Sequence, residues 1–312
     1  MMEILPAKKE HLPQMASLEA NLLEQEYRHV PALRAAQAEA FLPLLEERLS
    51  EGNAWVAQFD DTVLGYLMAG EGWVEDGVQC YHVPVWGSGS AEAKDKILPK
   101  IFAHAAETLV TCRPVRFEWD LYAHDDPLIR AVSRLQFGIQ YEEALRDTAE
   151  EIPDDSPVSV REWGKAELAS RWGEVWALLS LLIRHLQKSP VFYPGKEFTE
   201  EVYRAFLLDP DTRLFAAEQD GVLCGIIEAN RESRAPLTAA DAWDVGEACV
   251  LPALRRQGIA RALLRAVNET LRQEDVSQLW VGHGTANFSA CGFWNRYFTP
   301  YLVTMLRQIQ PI

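Results

Sequence analysis

Apolar positions along this chain switch between a period of two and a helical period, most cleanly in the second half. From 258 to 273 the residues Ile259, Ala262, Leu263, Ala266, Val267 and Leu271 recur at helical spacing, predicting a helix with one face laid on a sheet. A longer pattern at 165–187 (Leu168, Trp172, Val175, Trp176, Leu179, Leu182, Ile183, Leu186) predicts one long or broken helix. Shorter helices are expected at 199–208 and 287–297. Strands are predicted at 158–163, 213–219, 222–230, 244–251, 277–282 and 301–309. Asp220-Gly221 joins two of them and is a strong hairpin signal, since such turns need residues that tolerate positive φ.

The first half runs through a similar order. Strands are expected at 3–5, 54–59, 63–69, 79–85, 115–122 and 139–145, with helices at 9–26, 38–49, 91–109 and 127–136. Such self-similarity reads as a duplicated architecture. The boundary is placed at Glu150-Glu151-Ile152-Pro153-Asp154-Asp155-Ser156-Pro157, which is acidic, holds two prolines and lacks an apolar period. The expected organisation is a domain at 1–150, a linker at 151–157 and a domain at 158–312. A chain of 312 residues lets each domain bury its own core.

Between the strand at 244–251 and the helix from 258 lies the basic turn Pro252-Ala253-Leu254-Arg255-Arg256-Gln257. Strand, turn and helix start together aim several backbone N–H groups and the positive end of a helix at one point, as a phosphate cradle does. Gly258 lets a ligand approach the main chain without a Cβ in the way. Ala260 keeps the next turn small, while Arg255, Arg256 and Arg261 add charge suited to a diphosphate. No G-x-x-x-x-G-K-(S/T) occurs and only one glycine sits in the turn, so neither a Walker A loop nor a Rossmann fingerprint is present.

Val250, Pro252, Arg255, Gly258 and Ala260 together resemble motif A of the GCN5-related N-acetyltransferases (GNAT), V-x-P-x-x-(R/Q)-x-x-G-x-(G/A). Asn287-Phe288-Ser289-Ala290-Cys291-Gly292-Phe293-Trp294 is similar to that family's motif B, N-x-x-A-x-x-(F/L)-(Y/W). The resemblance covers most of the chain and is specific over 247–298. It implies an α/β (α+β) fold with two tandem GNAT-type domains, each a mixed, mostly antiparallel central sheet flanked by helices. It also implies an acyl-CoA N-acyltransferase moving acetyl from acetyl-CoA to a primary amine of a small molecule or peptide by direct attack. A non-catalytic acetyl-CoA-binding regulator, or an enzyme for another acyl-CoA, is the alternative.

By the same resemblance, main-chain groups of Cys249, Val250 and Leu251 line the pantetheine arm, with the Val250 N–H polarising the thioester carbonyl. The diphosphate is expected at the amides of Arg256, Gln257, Gly258, Ile259, Ala260 and Arg261, with Arg255 adjacent. Asn287 contacts the pantetheine region or caps its helix, or does both. Trp294 stands where many members carry a tyrosine acid, and Tyr297 is the nearest hydroxyl. A thiol leaving group with a pKa near 8.5 departs without a strong acid. Glu247 is the candidate base, sharing one side of its strand with Cys249 and Leu251, and Asp244 and Glu228 stand behind it. His185 and His283 are further candidates, the latter expected in a solvated loop. The segment Phe192-Tyr193-Pro194-Gly195 reads as a loop walling the acceptor pocket.

The remaining chemistry narrows the field. Five cysteines (Cys80, Cys112, Cys224, Cys249, Cys291) have no C-x-x-C spacing, and no His/Asp/Glu/Cys set has metal spacing, so no metal is expected. A net charge of −16 argues against nucleic acid, and no apolar run of membrane-spanning length occurs. The N-terminal residues lack the pattern of a signal peptide, which points to the cytoplasm. Oligomeric state is open between monomer and homodimer. The first half is the more acidic, with 13 Lys/Arg against 25 Asp/Glu. Its counterpart of the cradle, Val83-Pro84-Val85-Trp86-Gly87-Ser88-Gly89-Ser90, has no basic residue before Lys94. The first domain is therefore expected to be degenerate and without cofactor, though a Gly/Ser nest there offers amides to an anion.

Overall fold

A computed structural model describes residues 2–111, 113–153, 158–193 and 198–310. Cys112, Pro194, Gly195 and part of the expected linker, 154–157, lie outside the described residues. The chain divides into two compact units, Met1–Glu143 with Pro300–Ile312, and Ala144–Thr299.

In the first unit, β1 (Glu3–Pro6), β2 (Ala54–Phe59), β3 (Thr62–Met68) and β6 (Ser88–Ser90) form one antiparallel sheet. A second group joins β4 (Trp73–Glu75), β5 (Val78–Val83), β7 (Val115–Tyr122) and β15 (Thr299–Ile309). β5 and β7 are parallel; the other pairs of this group are antiparallel. Helices α1 (Leu12–Tyr27), α2 (Ala38–Ser50), α3 (Lys94–Leu109) and α4 (Asp126–Arg134) complete the unit. Its core centres on Trp119, Phe117, Phe102 and Phe137, which meet edge-on or stacked at 5.1–6.0 Å. Edge-to-face contacts of this kind exploit the positive ring edge against the negative ring face.

β8 (Gly138–Asp147) carries the chain across the division. In the second unit the strand order is β9 (Ser159–Trp163), β10 (Thr212–Gln219), β11 (Val222–Asn230), β12 (Trp243–Val245) and β14 (Gln278–Gly284), with β13 (Cys249–Val250) also on β11. The expected long helix is broken at Arg171 into α5 (Lys165–Ser170) and α6 (Trp172–Leu186). These and α7 (Glu200–Leu208) cover one apolar cluster, and α8 (Ile259–Gln273) covers the other. α8 buries Ile259, Ala262, Leu263, Val267 and Leu271, the face that its periodicity announced. Gly225 permits the close approach: a Cβ there would meet Leu263 at 3.1 Å and Ile259 at 3.2 Å.

The duplication is visible in detail. Hairpins β2–β3 and β10–β11 each shift register at the same place, after Ala57 and after Ala217, two residues before the strand ends. Each then turns through an aspartate at positive φ, Asp60 at 51° and Asp220 at 52°. One expectation changes: the final strand, placed with the second half from its sequence, registers against β7 from Ile309↔Val115 to Leu302↔Tyr122. An alternating strand carries no record of which sheet edge it will join. The units accordingly part at Glu143/Ala144 and at Thr299/Pro300 rather than at 151–157.

Candidate active site

In the second unit β12 is parallel to β14 over only two pairs, Trp243↔Leu279 and Asp244↔Trp280. The chain then leaves regular strand at 246–248 and returns as β13, which pairs with β11 through Gly225↔Val250 and Ile226↔Cys249. β13 and β14 diverge, and a cleft of about 530 Å³ opens there. One wall is β13 and the start of α8; the other is α9 (Phe288–Trp294) with Tyr297. Its lining mixes apolar Leu182, Leu254, Phe293 and Trp294 with Arg255, Arg256, Arg261, His185 and Asn287.

Backbone geometry at the α8 end of this cleft is unusual. Arg256 has φ 65° and Gly258 φ 85°, so two left-handed residues bracket Gln257 and turn successive amides to one side. The first α-helical bond runs from Ala262 N to Gly258 O at 2.9 Å. Amides of the first turn, including Ile259 and Ala260, consequently have no intrahelical acceptor and face the cleft with the helix dipole behind them. Glycine at 258 is required by its φ, which costs an L-residue roughly 1–2 kcal/mol.

Of the expected cofactor residues, Cys249, Val250, Arg255, Arg256, Gly258, Ile259, Ala260, Arg261, Asn287 and Trp294 line the cleft, as does Tyr297. Leu251 and Gln257 stand outside this lining. The reason for Leu251 is plain: its amide donates to Cys224 O at 2.9 Å, within the pairing to β11. Strand alternation then points the Val250 amide the opposite way, into the gap. Arg255 is partly committed, its Nε donating to Val250 O at 3.2 Å. Cys249 is buried filler; its thiol donates to Leu178 O at 3.4 Å, and burial pushes its pKa up to about 11. Asn287 does cap α9, its Oδ1 accepting from Ala290 N at 3.4 Å and from Ser289 Oγ at 2.8 Å. That same oxygen lies 3.1 Å from His185 Nε2, a contact that fixes the histidine at the cleft.

Glu247 lies in the irregular stretch between β12 and β13, so the strict alternation expected through 247, 249 and 251 is interrupted. It is not part of the cleft lining but is bonded from the far side, Tyr203 Oη donating to Oε1 at 3.2 Å. Burial raises the Glu247 carboxyl to about 7, against the opposing effect of the Tyr203 hydrogen bond. Tyr203 has no motif to mark it; it sits on α7, brought in only by folding. His283 falls within β14, buried rather than in a solvated loop, with Nε2 3.3 Å from Asn295 Oδ1. Among the described residues no group of His, Cys, Asp and Glu is arranged to hold a metal ion, and no helix is long and apolar enough to cross a membrane.

The first unit's counterpart is built differently. Ser88–Ser90, where a Gly/Ser nest is the alternative to a degenerate copy, is strand β6, paired to β3 through Gly65↔Ser90, Tyr66↔Gly89 and Leu67↔Ser88. Extended, paired backbone cannot curl its amides around an anion.

Residues 180–298 match the acetyltransferase (GNAT) family. No curated protein sequence matches the chain. Among solved structures, a GCN5-related N-acetyltransferase from Sphaerobacter thermophilus aligns over 99% of this chain and 96% of its own, at 13% identity and TM-score 0.57. A tandem GNAT protein from the clavulanic acid biosynthesis pathway aligns over 100% of both chains, at 16% identity and TM-score 0.50. Residues 180–298 thus carry a GNAT-type domain, with the motif A residues on the turn before α8 and the motif B residues on α9, and the chain as a whole shares the fold of the tandem GNAT protein, its two units having the same hairpin register.

Proposed function

We propose that the second unit transfers an acetyl group from acetyl-CoA to a primary amine of a small molecule or peptide, by direct attack and without a covalent enzyme intermediate. The observation that carries this reading is the divergence of β13 from β14 beside the left-handed start of α8. The opening suits an extended pantetheine arm, and the helix start at Gly258, Ile259, Ala260 and Arg261, with Arg256 beside it, suits the diphosphate. The thioester supplies an activated acyl group. The Val250 N–H polarises its carbonyl, and Glu247, with a pKa near neutrality, takes the proton of the attacking amine. A carbon–nitrogen bond forms, the carbon–sulfur bond breaks and the thiolate leaves; Tyr297, which lines the cleft, is our candidate to protonate it.

The first unit we read as a degenerate copy without cofactor, and the protein as cytoplasmic, in keeping with described cysteines that form no disulfide. Buried Trp294 in the position of the usual acid favours a second reading, a non-catalytic acyl-CoA sensor. Isothermal titration with acetyl-CoA, followed by thiol release across an amine panel, separates the two. One site per chain with amine-dependent thiol release supports the enzyme; one site without release supports the sensor. Absence of binding overturns both.

A further inference from the structure

On the face of the second unit's sheet covered by α6 and α7 stands a carboxylate that the proposed chemistry leaves unused. Glu228 of β11 is 2% exposed, and its Oε2 has no hydrogen-bond partner among the described residues. The other oxygen lies against the backbone next to Glu247: a Cβ on Gly246 would come within 2.6 Å of Oε1. Glycine at 246 thus leaves the space that the Glu228 carboxylate occupies. Burial raises the Glu228 pKa, and Asp244, Glu247 and Glu232 raise it further, so the charged neighbours acting on it are themselves acids. Burying a carboxyl with one oxygen unpartnered is costly even though a backbone hydrogen bond from Gly246 eases the charge, and a second negative charge beside it compounds the cost. A cation arriving at this point removes both penalties.

An aromatic wall leads to the same place. Trp176, Tyr203, Phe198 and Tyr193 follow one another with ring centroids 6.3, 6.0 and 5.6 Å apart, and the wall ends at Tyr193, which is 40% exposed. Tyr203, between Trp176 and Phe198 in that wall, is bonded to Glu247; burial raises its phenol pKa, and Glu247, Glu228 and Tyr193 raise it further. Ring faces beside carboxylates attract ammonium groups, each reinforcing the other where water is scarce.

We propose that the acceptor is a small dication or polycation: one amine is acetylated beside Glu247, while a second ammonium is held by Glu228 against Tyr203 of the aromatic wall. This rests on the transferase reading above and narrows its substrate to molecules with at least two amines. A monoamine of equal length satisfies Glu247 and leaves the Glu228 oxygen without a partner.

The test titrates the CoA-loaded protein calorimetrically with putrescine and with n-butylamine. Putrescine is expected to bind at least ~10-fold tighter, equivalent to ~1.4 kcal/mol. In Glu228→Gln, which keeps the size of the side chain, that ratio falls below ~2-fold. The same ratio is measured in Gly246→Ala, whose added methyl displaces the carboxylate, and is expected to shrink as well. A wild-type ratio near one, no binding of either amine, or a ratio preserved in Glu228→Gln overturns the proposal. Because the titration reads binding rather than turnover, its failure is distinct from failure of acyl transfer, which thiol release reports separately. The wild-type comparison needs no variant and stands even where a variant does not fold.

Discussion

Both units build the same opening between a strand that turns aside and its parallel neighbour, and only one leaves it open. In the second unit β13 stays with β11 and a cleft of about 530 Å³ remains beside α8. In the first, β5 follows β7 from Gln79↔Val115 to Val83↔Trp119, then β6 turns to β3, and the space between β6 and β7 is only about 10 Å³. That is barely room for one water. Three contacts close it. Trp119 Nε1 reaches across from β7 to Ser88 Oγ of β6 at 2.9 Å. Lys94 Nζ, at the first position of α3, lies 2.5 Å from Asp125 Oδ2, the side chain that caps α4 much as Asn287 caps α9. Behind them Glu19 of α1 accepts from Tyr122 Oη at 2.6 Å and from Tyr66 Oη at 3.3 Å, wholly buried. The helix start itself is alike in both units, since Ala93 is left-handed as Gly258 is. The backbone is alike in the two units; in the first an internal ion pair and a tryptophan fill the space that stays open in the second.

The strongest way to break this comparison is chemical. If acyl transfer belongs to the second unit alone, Glu247→Gln lowers kcat/KM by roughly 10²–10⁴-fold. In the wild type kcat/KM rises with pH until about 7, where the base form of Glu247 prevails, and the variant loses that rise. Activity surviving intact would place the chemistry elsewhere. Next in size is Gly258→Val, which forces a β-branched residue to φ 85° and fills the cradle. Acetyl-CoA affinity, read by calorimetry, should fall by ~1–3 kcal/mol, about 5–150-fold. Ala93→Val, at the corresponding turn of the first unit, should leave that affinity unchanged.

Stability sharpens the contrast further. Burial raises the Glu19 carboxyl to about 8, above its ordinary 4.5. The folded state therefore holds a proton that the unfolded chain releases, and stability falls as pH rises from about 4.5 through about 8. Glu19→Gln should flatten this slope and raise the melting temperature near pH 9, by the equivalent of roughly 1–3 kcal/mol. Ser88→Ala strips Trp119 Nε1 of its acceptor in the core and should cost about 1–3 kcal/mol in denaturant titration, with acetyl-CoA affinity unaffected. The smallest effect belongs to Arg256→Glu at the exposed turn, a loss of about tenfold in acetyl-CoA affinity that shrinks with added salt.

Much of this was legible locally. The Asp220-Gly221 turn, the apolar face of α8 and the two motifs depend on neighbouring residues, and each lies where its period or spacing put it. Leu251 shows the limit: alternation gave its side, but only the partner strand showed that its amide was already used. Tyr203 could not be found at all, because 44 residues separate it from Glu247 and no pattern joins them. The unit boundary failed for a similar reason, since composition marked 150–157 while packing divided the chain at Glu143 and Thr299.

By itself, then, the order of residues determined which segments become helix or strand and where the glycine turn before α8 falls, because those features rest on backbone conformation and short-range periodicity. Tertiary structure alone decided which edge the last strand joins, which of two similar openings stays open, and which acids stand together around Tyr203. Those outcomes turn on contacts between residues distant in the chain, and no local pattern encodes the space left when such residues meet.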